Sequence, residues 1–64
     1  MKFKELLNFV DNGQEVRVLI KVYGIKFIST HYKGYYTTKE FEPLLQQDVD
    51  SIEALDDVIT VTLK

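Results

Sequence analysis

Sixty-four residues leave room for one small domain, and with no cysteine and a single histidine, His31, the chain has neither a disulfide staple nor metal-ligand spacing. A hydrophobic fraction of 45% beside a charged fraction of 28% argues for a folded globular chain and against disorder. A formal net charge of −2 is mild, and no charge-free stretch is long and apolar enough to span a bilayer. The opening Met1-Lys2-Phe3-Lys4-Glu5 meets an acid before any apolar run develops, so no signal peptide is expected and the default compartment is the cytoplasm. A domain of this size buries only about 60% of the surface its unfolded chain exposes, so its stability margin is thin.

Phe3, Leu6, Leu7 and Val10 fall at i, i+3, i+4 and i+7 and predict a first helix over residues 3–10, ended by Asp11-Asn12-Gly13. From Glu15 the period becomes two: Val16, Val18, Ile20 and Val22 alternate with Arg17, Leu19, Lys21 and Tyr23 in a β-branched strand. Tyr23-Gly24 supplies a tight turn into a second, antiparallel strand from Ile25 to Thr30. His31-Tyr32-Lys33-Gly34 is a rival turn signal, either the true hairpin loop or a bulge before a strand that resumes at Tyr35-Tyr36. The turn at Gly24 with an irregular continuation fits better.

Thr37 and Glu40 have capping-box spacing ahead of a short helix over residues 39–46, which Pro43 requires to be brief or to start late. Ile52 to Leu55 and Val58 to Leu63 flank Asp56-Asp57 as a closing hairpin. Pairing of the segment 50–55 stays open at this level. The expected fold class is α+β in the order α-β-β-α-β-β. It has a three- to four-stranded antiparallel sheet and two short helices on one face. The expected core is Phe3, Leu6, Leu7, Val10, Val16, Val18, Ile20, Phe41, Leu44, Leu45, Ile52, Ile59, Val61 and Leu63.

Five segments carry a family resemblance: Lys2-Phe3-Lys4-Glu5-Leu6-Leu7, residues 11–18 with the pattern Asp-x-Gly-x-x-Val-Arg-Val, Leu44-Leu45, Val49-Asp50-Ser51-Ile52, and the apolar residues 58–63. In these the chain resembles small, uncharacterised phage and prophage proteins of Firmicutes. It departs from them between Val22 and Tyr36, where it is richer in aromatics and bases. The resemblance implies a phage or mobile-element setting, in which some small proteins inhibit host defence systems, CRISPR nucleases among them.

Catalysis is not expected. His31 has Ser29 nearby but no nucleophile elbow, zinc helix or phosphate-cradling glycine loop, and the chain is small to wall off a pocket of about 300 Å3. Asp48, Asp50, Glu53, Asp56 and Asp57 lack the glycine and glutamate of an EF-hand loop, so no metal and no cofactor is expected.

Charge is unevenly distributed. Between Val16 and Lys39 stand Arg17, Lys21, Lys26, Lys33 and Lys39 with no acid, while from Glu40 onward seven acids face Lys64. If Val16, Val18 and Ile20 look toward the helices, then Arg17, Leu19, Lys21 and Tyr23 look away, joined by Lys26, Ile28 and Thr30 of the next strand if the hairpin register allows. Two helices cover one face only, so this second face presents apolar anchors rimmed by bases, as a protein contact surface does. The candidate partner-binding residues are Arg17, Leu19, Lys21, Tyr23, Lys26, Ile28, Lys33, Tyr35 and Tyr36. The expected function is non-enzymatic binding of another macromolecule, a protein first, with a homodimer through this face as one form of it. Nucleic-acid mimicry by the acidic third is a variant. The alternative is a nucleic-acid-binding module using the basic, tyrosine-rich segment 17–39, against which the low pI of about 5.2 counts.

Overall fold

The computed structural model describes residues 1–22 and 24–64, with the side chains of residues 21, 22, 25 and 27 outside that description. Its elements run α1 (Phe3–Leu7), β1 (Glu15–Val22), β2 (Ile25–Tyr32), α2 (Glu42–Leu45), β3 (Val49–Leu55) and β4 (Val58–Leu63). Two 3-10 turns, Lys33–Thr37 and Lys39–Phe41, lead from β2 into α2. The α+β class and the order α-β-β-α-β-β are as expected.

The four strands form one sheet in the order β2-β1-β4-β3. Each hairpin is antiparallel, but β1 and β4 pair in parallel at the centre, so the sheet is mixed and not wholly antiparallel. The connectivity requires this. The chain leaves the end of β2, crosses the core face through residues 33–48 and starts β3 at the opposite end of the sheet. A crossover of that length is what parallel pairing needs. It also explains why Tyr36, Phe41, Leu44 and Leu45 all pack into the core.

Val22 pairs with Ile25, so the hairpin turns between them, and Gly24 takes φ of 80° there, a conformation open to glycine at little cost. His31-Tyr32-Lys33-Gly34 is therefore not the loop, and the chain does not resume a strand at Tyr35-Tyr36. It coils into the first 3-10 turn instead. The Thr37–Glu40 capping box is absent: Thr37 Oγ1 donates back to the Gly34 carbonyl at 2.8 Å and Thr38 Oγ1 to that of Tyr35 at 3.2 Å. These hydroxyls close the 3-10 turn and so are not free to cap α2. Pro43 stands at the start of α2, where its missing N–H costs nothing.

The first helix is one turn and a half, shorter than the apolar spacing predicts, and Val10 reaches the core from the bend beyond it. Its first turn is held by Lys2, whose backbone N–H donates to Glu5 Oε1 at 3.0 Å and whose ammonium donates to the Gln46 carbonyl at 3.1 Å. Phe3 N–H donates to the Gln47 carbonyl, and Val49 N–H to that of Met1, so the N-terminal segment is tied to the entry of β3.

The core lies between the helical layer and one sheet face. It contains Phe3, Leu7, Val10, Val16, Val18, Tyr36, Leu45, Val61 and Leu63, with Leu6, Ile20, Phe41, Leu44, Val49 and Ile59 packed against it. Two corrections follow. Tyr36, expected at a surface, is fully buried; Ile52, expected in the core, is 50% exposed. Ile52 pairs with buried Val61 and shares its face, but β3 is the outer strand and the short helical layer does not reach it.

Candidate functional site: the uncovered sheet face

Strand alternation and register fix what the second face carries. Arg17 pairs with Thr30 on one side and Thr60 on the other, and Thr60 pairs with Glu53. One row across the sheet therefore reads Thr30, Arg17, Thr60, Glu53. The next row toward the Gly24 end reads Ile28, Leu19, Thr62, Ser51, and the row on the other side reads Tyr32, Glu15, Val58, Leu55. No helix covers these rows. They form a shallow depression of about 600 Å3 that includes Arg17, Leu19, Ile28, Glu53, Leu55 and Val58.

Three large exposed apolar residues lie here: Ile28, Tyr32 and Leu55 are all more than half exposed, and Leu19 and Val58 are half-buried between strands. Arg17 Nε donates to Thr30 Oγ1 at 3.3 Å, which lays the guanidinium toward β2 while leaving it exposed. The one ion pair among the described residues is Lys2 with Asp48 at 3.9 Å, so neither Arg17 nor Glu53 is paired with a described residue. Strand order converts the uneven sequence into a spatial polarity. Arg17 and Lys26 stand on the β1–β2 half, with Glu15 as the one acid at the start of β1, and Glu53 and Asp56 stand on the side of β3 and its turn.

Of the nine residues the sequence nominates, Arg17, Leu19, Lys26 and Ile28 come together on this face. Tyr23 and the side chain of Lys21 lie outside the described part of the structure. Lys33 sits in the helical layer, beside Lys4, Leu7 and Glu42. Tyr35 lies on that side as well, stacked on His31 with ring centroids 3.8 Å apart and against Phe41 at 4.9 Å. Tyr36 belongs to the core, in edge-to-face contact with Phe3 at 5.6 Å and Phe41 at 5.4 Å. Its hydroxyl lies 2.9 Å from the carbonyl oxygens of both Val16 and Ser29 and 3.3 Å from Ser29 Oγ. Burial pushes its pKa up, opposed in part by the hydrogen bonds it makes.

The residues that sequence reasoning missed are Tyr32, Glu53, Leu55 and Val58. Tyr32 falls within a turn signal in the sequence, and the sequence places only Thr60 and Thr62 on the outer side of the closing hairpin, which marks no contact surface there. The alternation of Val58 and Thr60 with Ile59 and Val61 was the available signal. Among the described residues no three His, Asp or Glu side chains converge as a metal site would require, and no helix is long and apolar enough to cross a membrane. Comparison of the chain with protein families, curated proteins and solved structures gives no match.

Proposed function

We propose that the chain is a non-enzymatic binding protein that engages another protein through its uncovered sheet face, in the phage or mobile-element setting its sequence resemblance implies. The observation that carries this reading is the clustering of exposed Ile28, Tyr32 and Leu55 with Arg17 and Glu53 on one continuous, helix-free surface. Apolar anchors with flanking charges supply what a protein interface needs: desolvation at the centre and orientation at the rim. The nucleic-acid alternative is less well supported, because its aromatics and bases are divided between this face, the helical layer and the core.

A photo-crosslinking residue at position 28 should form an adduct with the partner in cells, and one at Asn8, exposed in the helical layer on the other side of the sheet, should not. The double variant Leu19→Asp, Ile28→Asp should keep the circular dichroism of the wild type and lose the adduct. Crosslinking at position 8 alone, or adducts indifferent to the double variant, would overturn the reading. Retention of DNA or RNA at about 50 mM salt, where phosphate contacts are strongest, would favour the alternative.

A further inference from the structure

We infer that the uncovered face takes a second copy of this chain, in a two-fold dimer whose axis runs along the β1–β4 seam. This rests on the binding role proposed for that face and names its occupant. Symmetry and charge select this arrangement. Two sheets packed face to face lie within about 30° of alignment and about 10 Å apart. A two-fold axis running across the strands would lay β2 on β2 and β3 on β3, bringing like charge onto like. An axis along the strands reverses the strand order of one sheet over the other. β2 then covers β3 of the partner subunit, and β1 covers β4 of the partner subunit.

The strand order β2-β1-β4-β3 makes the second arrangement self-complementary. A two-fold along the strands also leaves position along the strand unchanged, so each row of the face meets its own copy. In the row Thr30, Arg17, Thr60, Glu53, the guanidinium lies over Thr60 of the partner subunit, one strand spacing of about 4.8 Å to the side of Glu53 of the partner subunit. An arginine side chain spans that offset, and symmetry makes the contact twice. In the row Tyr32, Glu15, Val58, Leu55, exposed Tyr32 covers exposed Leu55 of the partner subunit, again twice. Lys26 falls toward the end of β3 that carries Asp50. Among the described residues neither Arg17 nor Glu53 has an ion pair within its own chain to give up.

Four strands by about six residues give a planar footprint of roughly 400 Å2 per subunit, smaller than the accessible area of about 800 Å2 that tight complexes bury on each partner. The dimer is therefore a reversible one, with dissociation in the micromolar range or weaker.

Sedimentation velocity from about 1 µM to about 1 mM covers the affinities such a small interface supports. The wild type should pass from monomer to dimer in that range. R17E and E53R each create two like-charge contacts per dimer and should weaken association at least about tenfold. An equimolar mixture of the two variants restores both opposite-charge contacts and should associate as the wild type does. All three samples should share one circular dichroism spectrum, since both positions are exposed. A wild type that stays monomeric throughout, or single variants that dimerise unimpaired, would overturn the dimer. So would a mixture no tighter than its components. An adduct at position 28 with a different protein from an otherwise monomeric chain overturns the second copy as occupant but leaves the binding role of the face intact.

Discussion

The hydroxyl of Tyr36 sits in the interior between carbonyl oxygens of β1 and β2, and it can donate its one proton to either, while Ser29 Oγ can donate to it. Replacing it in Tyr36→Phe removes a buried donor and should cost about 1–2 kcal/mol in urea unfolding at neutral pH. Its pKa is raised by burial, so in alkali the unfolded chain loses this proton before the folded one does. The unfolded state is then favoured as pH rises above about 10, and the stability that the neutral hydroxyl contributes is lost progressively up to the folded pKa. The advantage of wild type over Tyr36→Phe should accordingly shrink between pH 9 and pH 11, windows set by the ordinary tyrosine pKa of about 10. An advantage that grows with pH would refute the assignment. Phe3, fully buried against the Tyr36 ring, makes a second test. A chain of 64 residues has about 3–10 kcal/mol of stability in all. Phe3→Ala should remove about 3–5 kcal/mol of it and leave much of the protein unfolded at 37 °C by circular dichroism.

At the scale of elements, the β3–β4 hairpin turns on Asp56 and Asp57, both left-handed, with φ of 53° and 63°. That is the backbone of a type I′ turn, which favours Asn-Gly because a β-carbon is strained there. Gln14 Nε2 donates to the Asp57 carbonyl, a contact that needs no side chain at position 57 and ties the turn to the start of β1. Asp57→Gly should therefore raise the urea midpoint, by the equivalent of about 0.5–1 kcal/mol, and a lowered midpoint would show the left-handed aspartate to be unstrained. The same hairpin contains a cross-strand pair with unequal burial. Val61→Ala should cost about 2 kcal/mol, since Val61 is enclosed on the helical side. Ile52→Thr, at its exposed neighbour, should stay within about 0.5 kcal/mol of wild type.

For the whole molecule, strand order decides what the uneven charge distribution means. The basic segment folds into β1 and β2 and the acidic segment into β3 and its turn, so a pattern along the chain becomes a polarity across one face. Because only the folded chain dimerises, the melting temperature of the wild type should rise with protein concentration, and that of R17E should rise less. A concentration-independent wild-type melt over the range where sedimentation shows dimer would contradict that linkage. Much of this architecture was legible in the sequence. The 3.6-residue spacing of Phe3, Leu6 and Leu7, the alternation of residues 16–22 and Gly24 between two strands each reflect local geometry, and all correspond to elements of the fold. The candidate site was legible only in part: Arg17, Leu19, Lys26 and Ile28 follow from alternation, whereas Lys33 and Tyr35 were assigned to a face that their 3-10 turn leaves.

By itself, the sequence determined the α+β class, the order of elements and most of the core, because hydrophobic periodicity and turn chemistry act over a few residues. Tertiary structure alone decided the parallel pairing of β1 with β4, the burial of Tyr36 and the exposure of Ile52. Each depends on where the crossover lands and on how far a short helical layer extends over a four-stranded sheet. Those are distances between segments remote in the chain, and no local pattern encodes them.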